Sequence, residues 1–180
     1  MERDLPIVIA IAAVSGGGKT TVTSELKGKL HNSKALFFDE YDFDGPDDFV
    51  GWIENGSNPD EWDLTPLIRD IRRLLIEPLD YIILDFPFSY LHSKTRELID
   101  FSVFVDSPLD VAMARRIIRD YKDGTVENLL LDLENYIDRG RKGFLDMLKT
   151  TKPNSDLIVD GKLPLSEIVN IIIKNIVNIK

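Results

Sequence analysis

The stretch that decides the fold is IVIAIAAVSGGGKT, which occupies residues 7–20. Its first eight residues are all apolar, which is typical of a strand buried on both faces of a sheet. Three glycines follow at 16–18, and the pattern from 19 to 30 is that of a helix. A buried strand that turns through glycines directly into a helix predicts an α/β fold with a parallel sheet.

The rest of the chain repeats this alternation of strand and helix. Short apolar runs predict further strands at 35–38, 81–84, 101–105 and 157–159. Apolar residues at helical spacing predict helices at about 64–75, 108–121, 126–148 and 166–179, and residues 39–63 are predicted to form a loop. This order favours a central parallel sheet of about five strands with helices on both faces, and the length suits a single domain over 1–180.

The composition excludes several classes of protein. The chain has no cysteine, which rules out a disulfide-stabilised scaffold, a cysteine-based zinc site and a cysteine nucleophile. No apolar stretch approaches the roughly 20 residues of a membrane-spanning helix. We therefore expect a cytoplasmic protein with no membrane partner.

The net charge of −9 comes from one segment. Residues 37–63 contain ten carboxylates and no Lys or Arg, whereas the remainder of the chain holds 21 acidic and 22 basic residues. Because the remainder is close to neutral and the segment is strongly acidic, binding of nucleic acid through a basic face is not expected. The simplest interpretation of the segment is a solvated acidic loop.

Residues 13–20, AVSGGGKT, fit the phosphate-binding pattern G-x-x-x-x-G-K-[ST] except that Ala13 replaces the first glycine. In such a loop the backbone N–H groups and the helix N-terminus face phosphates. Lys19 would reach the β- and γ-phosphates, and the hydroxyl of Thr20 would ligate Mg²⁺. The predicted ATP site comprises Ser15, Gly16, Gly17, Gly18, Lys19, Thr20 and Thr21.

A second signal is the segment YIILD at 81–85, an apolar strand that ends in Asp85. The ligands of α/β proteins bind at the carboxyl ends of parallel strands. Beside a phosphate-binding loop, Asp85 is predicted to hold Mg²⁺ together with Thr20. The alternative is an aspartate that only caps the following turn.

Four further segments carry a family resemblance. Residues 39–42 (DEYD), 58–63 (NPDEWD) and 115–120 (RRIIRD) are similar to the D-S-F-Y, H-P-D-A-F-D and R-R-I-x-R-D motifs of one family. Residues 156–159 (DLIV) are similar to its A-D-I-I-V ending. Together with the phosphate-binding loop, these segments make the chain resemble the uridine kinase and phosphoribulokinase-like group of P-loop kinases along most of its length.

The resemblance implies a P-loop kinase-type three-layer sandwich with an acceptor-binding segment at about 39–77 and a helical lid at about 115–142. It implies transfer of the γ-phosphate of ATP, with Mg²⁺, to a hydroxyl of a small molecule. A nucleoside is the leading acceptor, and pantothenate, a sugar or another metabolite stays open.

Several residues receive roles on this basis. Asp39, which follows a strand beside the phosphate-binding loop, is the best-placed general base. Arg115 and Arg119 are four residues apart and share one helix face, so they are predicted to meet the transferring phosphate with Lys19. The alternative is that the two arginines lie on a solvent-exposed helix face and form ion pairs with nearby acidic residues. The candidate acceptor-binding residues are Asp39, Tyr41, Asp63, Tyr90, His92 and Arg141.

The chain also departs from the family pattern. Asp85 replaces a glutamate, and residues 122–125 (KDGT) replace an arginine-rich lid tip. Tyr136 and Arg141 fit the spacing of the family's Y…R-P segment, but Lys142 replaces its proline. Because of the lid tip and Ala13, a second interpretation stays open, namely a family member that binds a nucleotide without catalysing phosphate transfer. A regulatory GTPase would need an [NT]-K-x-D motif, and TKPN at 151–154 lacks its final carboxylate.

The acidic segment bears on the acceptor. If residues 39–63 line the acceptor pocket, their charge would repel an acceptor that already carries phosphate and would suit a neutral or cationic one. Three arginines that could bind such a phosphate argue the other way, namely Arg69, Arg72 and Arg73. The tip at 121–126 is predicted to be mobile when empty and to close over nucleotide. The apolar last helix is predicted to be core, with contact to a second copy of the chain as the alternative.

Overall fold

The computed structural model describes residues 5–179, and its centre is a parallel sheet in the strand order β2-β3-β1-β4-β5. The strands are β1 (Ile7–Ala12), β2 (Ser33–Phe37), β3 (Tyr81–Asp85), β4 (Phe101–Asp106) and β5 (Leu157–Asp160). The predicted α/β fold with five parallel strands is confirmed. The extent of one domain over 1–180 stays a prediction, since residues 1–4 and 180 lie outside the described part.

Helices cover both faces of the sheet and complete three layers. They are α1 (Lys19–Lys29), α2 (Phe49–Glu54), α3 (Thr65–Leu75), α4 (Leu109–Asp120), α5 (Val126–Asn135), α6 (Arg141–Lys149) and α7 (Leu165–Ile176). Because side chains alternate along a strand, Ile9 and Ile11 of β1 pack with α1 and α7, whereas Val8 and Ala10 pack with α3. Within residues 5–179 none of the helices is long and apolar enough to cross a membrane.

The register of the sheet brings three strand ends to one edge. Asp85, the last residue of β3, pairs with Ile11 of β1 on one side and with Phe37 of β2 on the other. The segments that follow these three strands therefore start side by side. They carry the phosphate-binding loop, Asp39 and Asp85.

The helix predicted at 126–148 is confirmed, since residues 126–149 are helical throughout, but its hydrogen-bonding pattern changes once along its length. A π-helical turn, Tyr136–Gly140, separates α5 from α6. Two glycines, Gly140 and Gly143, lower the helix propensity of this stretch. A β-carbon at Gly143 would lie 3.4 Å from Cδ1 of Ile53, so the glycine lets α6 approach α2 closely.

The prediction that residues 39–63 form a loop was wrong in part, because this segment contains α2. Asp48 caps this helix, since its carboxylate accepts a hydrogen bond of 2.9 Å from the N–H of Gly51. Phe49, Trp52 and Ile53 have the spacing of one helical face. That spacing was the available signal, and the surrounding glycines and carboxylates masked it.

Candidate active site

The phosphate-binding loop depends on two glycines in the left-handed region, Gly16 (φ 78°) and Gly18 (φ 102°). A β-carbon at Gly16 would lie 2.0 Å from the carbonyl oxygen of Ala112, so only glycine fits there. A β-carbon at Gly18 would meet no atom within 4 Å. That side of the loop is therefore an open cradle in which phosphate oxygens can approach the backbone.

The replacement of the first glycine by Ala13 is accommodated within the loop. A β-carbon at position 17 would lie 2.8 Å from Cβ of Ala13, so Gly17 leaves room for the methyl group. The N–H of Gly17 donates to the carbonyl of Val14 at 2.8 Å, which closes the turn. Ala13 therefore does not prevent the loop from adopting its phosphate-binding conformation.

Lys19, Thr20 and Asp85 meet where the loop enters α1. The Nζ of Lys19 lies 2.7 Å from Oδ1 of Asp85, and the hydroxyl of Thr20 donates to Oδ2 at 2.5 Å. The side chain of Asp85 is 1% exposed and that of Lys19 is 13% exposed. The buried carboxylate thus keeps both phosphate-loop side chains at the mouth of the loop.

This pair of oxygen donors fits Mg²⁺ that arrives with a nucleotide. Mg²⁺ takes oxygen ligands, commonly one or two from protein and the rest from phosphates and water. The hydroxyl of Thr20 and the carboxylate of Asp85 are such donors and are already in contact. Among residues 5–179 no cluster of three or more His, Cys, Asp or Glu could hold an ion without other ligands.

Asp39 stands beside this group at the end of β2. It lies in the 3-10 turn Phe38–Glu40, and its Oδ2 is 3.7 Å from Nζ of Lys19. Its side chain is 77% exposed, so the carboxylate is accessible from solvent. A carboxylate in this position can accept a proton from a hydroxyl that approaches the phosphate held by Lys19.

The two arginines predicted to act together have different partners. Arg115 donates to the hydroxyl of Ser107 and to the carbonyl of Gly161, both at 3.3 Å. Arg119 pairs with Asp120 at 2.6 Å, and this hydrogen bond is the main cause that raises the pKa of the guanidinium, with a smaller contribution from Asp39. Both arginines line the same cavity.

Two residues that the sequence did not single out also belong to this region. Arg116 lines the cavity and forms an ion pair with Asp132 of α5, which joins the lid to α4. Ser107, at the end of β4, is buried and donates a hydrogen bond of 2.9 Å to the carbonyl of Gly17. Their signals were weak, since Arg116 is part of a run of basic residues and Ser107 belongs to no motif.

A cavity of about 1180 Å³ extends from the phosphate-binding loop toward α2 and α6. Six of the seven predicted ATP-binding residues line it, and the seventh, Gly17, is buried and does not. The opposite end is lined by five aromatic rings, which we call the aromatic wall: Phe38, Phe49, Trp52, Trp62 and Phe88. The acidic segment therefore reaches the cavity mainly through its rings, with Asp39 as its one carboxylate among the lining residues.

Tyr41 and Tyr90, predicted to bind the acceptor, are not among the residues that line the cavity. The hydroxyl of Tyr41 donates to Asp70 at 3.0 Å, and that of Tyr90 donates to Asp156 at 2.6 Å. Burial first, and then the neighbouring carboxylate, raises the pKa of each phenol. Both hydroxyls therefore form hydrogen bonds that stabilise the fold.

The other three acceptor-binding candidates also lie outside the lining. His92 is buried, and its Nε2 is 3.2 Å from the carbonyl of Trp62. The carboxylate of Asp63 accepts from the hydroxyl of Thr65 at 2.6 Å, which is the main cause that lowers its pKa. Arg141 begins α6. Of the six candidates, the structure brings Asp39 alone to the cavity.

Comparison with known proteins identifies relatives of the sequence. The profile of the family described as "Phosphoribulokinase / Uridine kinase family" matches residues 62–164. A uridine kinase of Leuconostoc citreum is 30% identical over 185 residues, which cover 86% of this chain and 87% of that protein. A uridine kinase of Borreliella burgdorferi is 27% identical over 178 residues, covering 84% and 85%.

Solved structures show the same fold. A deoxyadenosine kinase from M. mycoides matches with a TM-score of 0.53 and 17% identity, covering 97% of this chain and all of that one. A shikimate kinase from Aquifex aeolicus matches with a TM-score of 0.52 and 17% identity, covering 96% and 97%. At these identities the likeness supports the predicted P-loop kinase fold and nothing finer.

Proposed function

Because the chain belongs to the phosphoribulokinase/uridine kinase family and is an ATP-dependent small-molecule kinase, we propose that its acceptor is a nucleoside. The proposal extends to roles for Lys19, Asp39 and Asp85. The uridine kinases among its relatives support the nucleoside class. The observation that carries the residue roles is the position of Asp39 within 3.7 Å of the phosphate-loop lysine.

Lys19 and the open loop hold the donor. Lys19 lines the cavity beside the open loop, so its ammonium group can bind β- and γ-phosphate oxygens there. Mg²⁺, when bound through Thr20 and Asp85, neutralises charge on the same phosphates. Arg119, which lines the cavity, supplies a second positive charge on the lid side.

Asp39 completes the transfer. The acceptor oxygen attacks the γ-phosphorus, the bond from that phosphorus to the bridging oxygen breaks, and ADP leaves with the electron pair. Asp39 takes the hydroxyl proton as the new bond forms. Positioning and charge neutralisation account for most of the catalysis that such a reaction needs.

The aromatic wall favours a nucleoside over a sugar or pantothenate. Its rings form one contiguous surface, since the centroid of Trp62 lies 6.0 Å from those of Trp52 and Phe38. A flat base stacks on such a surface, and each stacked base gains about 1–3 kcal/mol. A polyhydroxylated sugar would leave hydroxyl groups against apolar rings without hydrogen bonds.

A coupled ADP-release assay with MgATP tests the proposal. The panel comprises nucleosides, nucleoside monophosphates, pantothenate and sugars, with Asp39→Asn beside Asp42→Asn, an exposed acid outside the cavity lining. We expect nucleoside-dependent ADP release that Asp39→Asn lowers at least about 100-fold and Asp42→Asn leaves unchanged. Release stimulated only by sugars, pantothenate or monophosphates would contradict the proposal, as would full activity of Asp39→Asn.

A further inference from the structure

An unpaired carboxylate lines the cavity close to the aromatic wall. Asp146 of α6 is a lining residue, and its Oδ2 lies 3.5 Å from the hydroxyl of Ser57. Over the described range 5–179, no Lys, Arg or His nitrogen lies within 4 Å of this carboxylate. A half-buried charge in a cavity is stabilised when a bound ligand brings the opposite charge.

The aromatic wall, like Asp146, favours a positively charged ligand. The faces of aromatic rings carry negative charge density and attract cations, with tryptophan the strongest. Trp52 stacks on Phe49 at 5.3 Å and meets Trp62 nearly at right angles. Both tryptophans line the cavity, so a bound cation can contact their rings.

The charges around this end of the cavity add to the effect. The segment 37–63, which supplies four of the five rings of the wall, carries ten carboxylates and no Lys or Arg. Lys142 of α6 is the cation in contact with α2, and its Nζ donates to the carbonyls of Ile53 and Glu54. Lys142 is not among the lining residues, and the cations that do line the cavity come from the phosphate-binding loop and α4, namely Lys19, Arg115, Arg116 and Arg119.

We infer that the base of the acceptor is a positively charged heteroaromatic ring, and that Asp146 is the residue that selects for this charge. The acceptor class is a cationic riboside, such as an N-ribosylpyridinium, with the ring on the aromatic wall. A neutral base stacks on the same wall but leaves the carboxylate without a counter-charge. The inference rests on the proposed function, because it names the kind of nucleoside that the same site takes.

The two tryptophans of the chain make binding measurable without ATP. Trp52 and Trp62 both line the cavity, so a ligand on the aromatic wall changes the intrinsic fluorescence. The probes are 1-β-ribosylpyridinium and 1-β-ribosylbenzene, which have the same shape and differ by one charge. We expect the pyridinium compound to bind about tenfold more tightly, and MgATP-dependent turnover to show the same preference.

Two variants locate the origin of the preference. Asp146→Asn should reduce the tenfold ratio to about threefold or less, since only the ring–cation attraction remains. Asp47→Asn, an exposed acid outside the lining, removes the same charge from the acidic segment and should leave the ratio unchanged.

The outcomes separate this inference from the proposed function. Equal binding of the two probes, binding of neither, or an unchanged ratio in Asp146→Asn overturns the inference, even where uridine is phosphorylated. Preferential binding of the pyridinium probe with no phosphorylation of any riboside supports the inference and overturns the proposed function.

Discussion

The Nζ of Lys19 lies 2.7 Å from Oδ1 of Asp85, so an ion pair joins the phosphate-binding loop to the neighbouring strand β3. The pair exists because β1 and β3 are adjacent and in register, with Ile11 opposite Asp85. Burial of the carboxylate makes the lysine its counter-charge and fixes the direction of the ammonium group. The sheet thereby prepares the loop for phosphates before a nucleotide binds.

Replacing Asp85 with asparagine should have two separately measurable effects, one on the stability of the fold and one on the Mg²⁺ concentration that activity requires. Asp85→Asn removes a charged oxygen donor and the buried counter-charge of Lys19, which keeps only the exposed Asp39 at 3.7 Å, so we expect a stability loss of about 3 kcal/mol. The Mg²⁺ concentration for half-maximal activity should rise about 10- to 100-fold. Urea unfolding and a Mg²⁺ titration of activity measure the two effects. An unchanged Mg²⁺ requirement in the folded variant would show that Asp85 does not help to hold the metal.

Ser107→Ala should destabilise the phosphate-binding loop, because it removes a side-chain hydrogen bond to the loop backbone. The hydroxyl donates to the carbonyl of Gly17 and accepts from Arg115, so its loss leaves a buried carbonyl without this donor. We expect a loss of about 1–2 kcal/mol in stability and a rise of about tenfold in the Kd for ATP. Calorimetric titration measures the affinity, with the exposed Ser166→Ala as control. An unchanged ATP affinity would exclude a positioning role for Ser107.

Asp132→Asn should loosen the lid. The ion pair between Arg116 and Asp132 is partly exposed, with side chains 17% and 27% accessible, so its loss costs about 1 kcal/mol. Amide exchange across α5 should become about fivefold faster without nucleotide, and ATP should slow it at the lid tip 121–126. Hydrogen-exchange mass spectrometry measures both changes, with the exposed Asp138→Asn as control. Identical exchange in Asp132→Asn and the wild type would contradict the role of the pair.

Stability should fall in acid partly through Asp60. The backbone N–H of Ser93 donates to its carboxylate at 2.7 Å, which lowers the pKa of Asp60 below its ordinary value of 3.8. Because the folded state favours the charged form, this contribution is complete above that value and is lost as the pH falls below it. Asp60→Asn should therefore show a shallower loss of stability between about pH 5 and pH 3, measured by urea unfolding. Parallel pH profiles for the two proteins would contradict this role of Asp60.

The sequence by itself determined the phosphate end of the site. The strand at 7–12, the glycines and Lys19 form one continuous segment, so local periodicity and backbone geometry are sufficient to predict the loop. Asp39 and Asp85 follow two other strands, and parallel strands end at a common edge. These residues therefore converge without any knowledge of side-chain packing.

Only the tertiary structure decided the end of the cavity that the aromatic wall lines. The aromatic wall and Asp146 come from segments far apart in the sequence, and α6, which carries Asp146, meets α2 only in the packed fold. Tyr90 and His92 were predicted to bind the acceptor. In the structure the hydroxyl of Tyr90 donates to Asp156, and Nε2 of His92 contacts the carbonyl of Trp62. The physical reason is that backbone periodicity places a residue on an element, whereas the direction of its side chain depends on partners that only the packed fold brings near.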